Sequence, residues 1–225
     1  MKKLIVLIAF ITTLAVASYA QLPGFQAKVS GGYASKVLNY GEVAAEGVYT
    51  ADLELSWQSF IVGVNTFNDL EISPFKAKLN RVDVTGAYKL FSTLADIDVG
   101  ATYTHENNGP LDFKGHWQPF VTIGKSFYAV TGTYDLQSRL LNFEGKLHKS
   151  FDLSVFKVTP VVFGGVTDVN DALPKSVKEI KYNTSYVGGE LSLGWKWLNV
   201  GGFISRDLQT EENITGWKVL ATKTF

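Results

Sequence analysis

No cysteine occurs among the 225 residues, which excludes disulfides, thiol catalysis and thiolate metal sites. An excess of charge is also missing. Twenty-one basic residues stand against 21 acidic ones, so there is no basic stripe or tail for a nucleic acid partner. Long hydrophobic runs are scarce: the apolar stretch from Leu4 to Val16 falls short of the ~20 residues that a transmembrane helix needs. Phosphate loops and metal-ligand spacings are absent too, so neither a cofactor nor a metal is expected.

What is present begins with an export signal. Lys2 and Lys3 lead into the apolar stretch, and Ser18, Tyr19 and Ala20 follow it with small residues where a signal peptidase reads. Residues 1–20 are therefore expected to be a signal peptide and residues 21–225 one exported domain. Cleavage would remove two lysines, leaving 205 residues with 19 basic and 21 acidic side chains.

Beyond Leu22 the dominant pattern is alternation with period 2. Val187, Gly189, Leu191, Leu193, Trp195 and Trp197 share one parity, while Gly188, Glu190, Ser192, Gly194 and Lys196 share the other. The same division separates Leu141, Phe143, Gly145 and Leu147 from Asn142, Glu144, Lys146 and His148. Such strands have one wet and one apolar face. Twelve of them are predicted, over 24–36, 46–57, 60–68, 78–90, 95–105, 114–125, 128–137, 140–149, 155–167, 182–196, 198–206 and 214–225; ten is the alternative even count. Glycine pairs at 31–32, 164–165, 188–189 and 201–202 fall inside these strands, where they ease curvature and close approach.

The connections sort by length. Short turns are expected at Trp57 to Phe60, Phe91 to Leu94, Lys125 to Tyr128, Lys149 to Leu153 and Trp195 to Leu198. Longer polar ones alternate with them: Lys36 to Glu46, Asn68 to Lys76, Glu106 to Lys114, Leu136 to Leu140, Val169 to Lys181 and Asp207 to Asn213. Turns at one end and loops at the other are the signature of an antiparallel transmembrane β-barrel, with turns periplasmic and loops extracellular. Rings with polar edges favour the headgroup depth, so Trp57, Phe60, Phe91, Phe127, Tyr128, Phe151, Trp195 and Trp197 form the expected interface girdle. A soluble β-sandwich or a lipocalin-like barrel also alternates, but neither segregates its connections by length.

The last strand points the same way. Trp217, Val219, Ala221, Lys223 and Phe225 share a face and close on an aromatic residue, an ending that resembles the assembly signal of bacterial outer-membrane β-barrels. Lys223 departs from that pattern, although a lysine at the rim can reach headgroups with its long side chain. Over its whole exported length the chain resembles small porin-like outer-membrane proteins, and Gly31-Gly32-Tyr33-Ala34-Ser35-Lys36 is similar to their opening hairpin. The resemblance implies an all-β, antiparallel barrel in the outer membrane of a Gram-negative-type cell, inserted by the barrel-assembly machinery among outer-membrane lipid. It brings no particular solute with it.

The polar parity would then line the lumen. It carries Lys28, Arg81, Lys89, Lys146, Lys157, Lys196 and Lys218, and against them Asp52, Glu54, Asp83, Asp96, Asp98, Asp135, Glu144 and Glu190. So balanced a set predicts weak charge selectivity, and many of these groups are expected to pair across strands. Twelve strands close at a backbone radius of roughly 12 Å, a bore suited to small hydrophilic solutes. Passive diffusion is the function this implies. A sealed structural or adhesive barrel is the alternative, and a barrel enzyme a further one. For the enzyme, His116 faces inward near Asp98 and Glu106, but neither it nor His105 or His148 has a serine or asparagine in a recognisable motif.

Overall fold

The computed structural model describes residues 24–39, 42–69, 80–91, 94–107, 115–169 and 184–225. A strand with one wet and one apolar face must satisfy its backbone groups without an open edge, and a sheet closed on itself does so. The strands are β1 Phe25–Asn39, β2 Glu42–Trp57, β3 Phe60–Asp69, β4 Asn80–Leu90, β5 Asp96–Asn107, β6 His116–Lys125, β7 Tyr128–Tyr134, β8 Leu140–His148, β9 Phe151–Leu153, β10 Phe156–Val169, β11 Thr184–Trp195, β12 Leu198–Asp207 and β13 Asn213–Thr224. Neighbours in sequence pair antiparallel around the ring, and β13 returns to β1. β8 and β9 form one stave, because both pair β10 in a single register, His148 opposite Val161 and Phe151 opposite Val158. The result is the all-β, closed barrel of twelve staves that the alternation predicts.

The break between β8 and β9 has a local cause. Pro160 lies opposite it on β10 and has no N–H to donate, so the ladder thins to the Lys149 N–H reaching the Pro160 carbonyl at 3.4 Å. The turn expected at Lys149 to Leu153 is therefore displaced to Ser154 and Val155, with Ser154 at φ 58°. Gln58 and Lys196 open their two-residue turns at φ 54° and 51°, a left-handed conformation that matches the twist of hairpin strands. A second difference is the connection expected from Lys36 to Glu46. β1 runs on to Asn39 and β2 starts at Glu42, with a bulge between Val37 and Leu38 absorbing the mismatch, since no proline interrupts the ladder there. Residues 1–20, expected as a signal peptide, and the connections at 70–79, 108–114 and 170–183, with Pro74, Pro110 and Pro174, lie outside the described residues.

Burial is inverted relative to a soluble sandwich. Among the described residues the buried apolar side chains are few, namely Ala27, Ala34, Val48, Leu140 and Tyr186, whereas Asp83, Thr104, Gln118, Asp135, Asn142 and Ser205 are among the buried polar ones. Val62, Val84, Val121, Ile123, Leu191 and Ile204 stand exposed on the outer face. Apolar outside and polar inside is the order that lipid demands.

Two aromatic belts bound that outer face. At the short-turn rim Trp57, Phe60, Phe91, Phe127, Phe151, Trp195 and Trp197 are all exposed, with Tyr128 against Phe127 at 5.0 Å. Lysines lie over rings there, Lys89 on Phe91, Lys149 on Phe151, Lys196 on Trp195 and Lys223 on Phe225. Lys223 thus lies over the ring at the chain end. Toward the other rim Trp217 meets Tyr33, which meets Tyr49, both at 5.3 Å, and Tyr103 meets Trp117 at 5.1 Å. Sequence reading missed this second belt, because its rings sit inside strands and mark no turn. Trp217 on β13 and Phe225 just past its end are eight residues apart, which at a tilt near 40° separates the belts by about 20 Å along the axis.

Candidate functional site: the barrel lumen

Alternate residues of every stave point inward, and the two sides of the lumen treat them differently. Across β4 to β7 they knit together. Arg81 Nε donates to Asp83 Oδ1 at 2.8 Å, and Thr104 Oγ1 reaches the same carboxylate at 2.8 Å. Thr85 with Thr102 and Thr122 with Thr131 form hydroxyl pairs at 2.9 Å. Asp98 of β5 receives Lys89 at 3.8 Å, and Asp96 occupies the next inward position of β5 toward the short-turn rim.

Across β8 and β10 to β13, continuing onto β1 to β3, the lumen opens. A chamber of about 530 Å³ is bounded by Lys36, Thr50, Asp52, Asn65 and Phe67 on one side and by Glu144, Lys146, Phe163, Glu190, Phe203 and Lys218 on the other. A second space of about 270 Å³ lies nearer the short-turn rim, walled by Lys28, Ser30, Asp52, Glu54 and Ile61 among others. Asp52 and Asn65 belong to both walls. Inside the larger chamber Lys146 bonds Glu144 at 2.6 Å and Lys218 bonds Glu190 at 2.8 Å. Tyr186 OH donates to Glu144 at 2.7 Å, and Ser30 Oγ to Asp52 at 3.2 Å. Lys157 takes the inward position opposite Gly194.

Large inward side chains recur directly opposite glycine. Phe120 pairs Gly100, Phe163 pairs Gly188, Tyr186 pairs Gly165, Phe203 pairs Gly216 and Leu220 pairs Gly32. In each pair the large group fills the space a Cβ on the glycine would need, so the rings lie along the wall instead of across the bore. The glycines read from the sequence as curvature residues therefore also seat rings. Inward phenylalanines are what the parity argument overlooked, because only charges were followed.

Two predicted positions fall elsewhere. Lys196 is not on the lumen wall; it occupies the β11–β12 turn, with its ammonium 5.2 Å from the Trp195 ring centre. Its parity matches the inward residues of β11, but the strand ends at Trp195 and the turn carries the side chain to the rim. Asp135 lies just past β7, in a turn that it organises. Its carboxylate accepts from the Gln137 and Ser138 amides at 2.9 Å, from Gln118 Nε2 at 3.0 Å and from His116 Nδ1 at 2.5 Å. Burial by itself would push this carboxyl up, but the bonds from His116, Ser138 and Gln118, with the charge of His116, hold it well below the ordinary carboxylate range. His116 therefore meets Asp135, not the Asp98 and Glu106 that strand proximity suggests.

Asp135-Leu136-Gln137-Ser138 recurs as Asp207-Leu208-Gln209-Thr210. The second copy builds the same turn. Asp207 accepts from the Gln209 and Thr210 amides at 2.7 and 3.0 Å, and a left-handed residue follows in each, Arg139 at φ 56° and Glu211 at φ 61°. Such a shared task marks Asp135 as a turn-forming carboxylate. Among the described residues no group of three or more His, Asp or Glu side chains is placed to hold a metal ion.

No family model matches the sequence, and no curated protein sequence matches it significantly. Solved structures do match the fold. The KdgM porin, also solved in complex with disordered oligogalacturonate, superposes with a TM-score of 0.54 at 10% identity, over 89% of this chain and 99% of its own in that complex. The NanC porin gives 0.54 at 13% identity, over 88% and 99%. The architecture is thus that of porin barrels, at an identity where only the fold is shared.

Proposed function

We propose that this chain is an outer-membrane channel through which small hydrophilic solutes diffuse passively, with weak charge selectivity. The observation that carries the reading is the pair of lumenal spaces, about 530 and 270 Å³, that share Asp52 and Asn65 inside a porin-type barrel. In the larger space the lysines sit in bonded pairs with carboxylates, so neither ion sign meets a continuous stripe there. The porin fold of the neighbours and the apolar outer face favour a channel over an enzyme, and the turn-forming task of Asp135 accounts for His116 without catalysis. Residues 1–20 act in this reading as the export signal, and the strand ending at Phe225 as the assembly signal. The short turns face the periplasm.

Refolded protein in planar bilayers tests it. Discrete current steps with a potassium-to-chloride permeability ratio near unity are expected. A correctly folded barrel that passes no current would instead support a sealed structural or adhesive role.

A further inference from the structure

The larger chamber holds three cationic and three anionic side chains, Lys36, Lys146 and Lys218 against Asp52, Glu144 and Glu190. Each cation already has a carboxylate, Glu46 at 3.4 Å, Glu144 at 2.6 Å and Glu190 at 2.8 Å. An entering anion would have to compete with a bonded carboxylate for its lysine, and an entering cation with a bonded lysine at Glu144 and Glu190, while Asp52 is held by the Ser30 hydroxyl. A hydroxyl group faces no such competition, since it can accept from the lysine and donate to the carboxylate of one intact pair. Apart from Thr50 and Asn65, the rest of the wall is apolar. Phe163 and Phe203 reach it by lying over Gly188 and Gly216, which leaves ring surface facing the chamber. At about 30 Å³ per water, the space holds roughly 18 waters, and its mixture of rings with a few polar pairs is the composition of a small-molecule site.

We propose that this chamber is a binding subsite for uncharged, hydroxyl-rich ring compounds of sugar size. The solute rests an apolar face on Phe163 and Phe203 and directs hydroxyls to the Glu144–Lys146 and Glu190–Lys218 pairs. This rests on the channel reading and names the class of solute that the channel favours.

Current block in planar bilayers tests the site. A neutral monosaccharide and disaccharide are titrated against the reconstituted channel, with a uronate of the same ring size and a polyethylene glycol of matched mass as comparisons. Saturable block by the neutral sugars is expected at lower concentration than by the uronate, with no saturable block by the glycol. F163L/F203L retains apolar bulk without the flat face, and its half-blocking concentration is expected to rise about fivefold. G216A, in which the new methyl group displaces the Phe203 ring, is expected to weaken the block in the same direction. Heat-modifiable migration on gels confirms that each variant is folded. Stronger block by the uronate, or an unchanged half-blocking concentration in F163L/F203L, overturns the proposal while the channel reading survives. A folded wild-type barrel without current removes the channel reading itself.

Discussion

The two sides of the lumen use the same residue types to opposite ends. Across β4 to β7, Asp83 takes Arg81 of its own strand and Thr104 of the next, Asp135 takes donors from β6 and its own turn, and the wall closes into a hydrogen-bonded layer. Across β8 to β13 and back to β3, carboxylates and lysines pair off locally, rings lie over glycines, and space remains between. The difference teaches that lumenal polarity has two functions in this barrel. Side chains with shared partners close one wall, and lysines and carboxylates paired one to one leave open space beside the other.

The knitted wall is where substitution should cost most. Asp83→Ala takes the carboxylate from Arg81 and Thr104 where the charged pair is largely enclosed, and we expect about 3 kcal/mol of lost stability in urea unfolding. An unchanged midpoint would show that this side is no stiffer than the other. Asp135→Ala should cost about 2 kcal/mol, because the Gln137 and Ser138 amides, Gln118 and His116 lose their shared, buried acceptor. It also has a pH signature. A carboxyl held below its unfolded value of about 3.9 contributes fully above that pH, and the contribution is lost as pH falls through the lower folded value. Wild type should therefore lose stability on acidification below about pH 4, and Asp135→Asn should flatten that slope in thermal melts at stepped pH.

The chamber side is expected to respond in function more than in stability. Removing Phe225 deletes its reciprocal bonds to Ala27, N–H to O at 2.8 and 3.3 Å, on the seam of β13 with β1. Folded outer-membrane yield should fall severalfold with export intact; a normal yield would argue against the assembly role. Glu190→Gln leaves Lys218 without its carboxylate in the chamber. Anion preference should rise about twofold, the effect of roughly 0.4 kcal/mol at a partly screened site, measured as a reversal potential under a salt gradient. Equal reversal potentials would mean that the pair lies off the conducting path.

Much of this was legible in the chain. Parity alone assigns Leu191 outward and Glu190 inward, because side chains alternate wherever a strand is extended. Turn residues fix the staves to within a few residues, as at Trp57 and Trp195. Proline explains one failure, since Pro160 acts on the stave opposite it and its effect at Lys149 cannot be seen from the local sequence. Lys196 explains another, for parity continues past a strand end while the lumen does not. The repeated Asp-Leu-Gln motif was visible in the letters, but it signals a turn only once both copies are seen to fold alike.

The sequence by itself determined that the chain alternates, which residues share a face and where most staves reverse, because these follow from a period of two and from local turn chemistry. Tertiary structure decided the rest. The register of successive staves set Glu190 beside Lys218, 28 residues on, brought His116 to Asp135 and laid Phe163 over Gly188, with the open space left on one side. Parity gives directions without distances, and only the register of one stave against the next turns a direction into a contact.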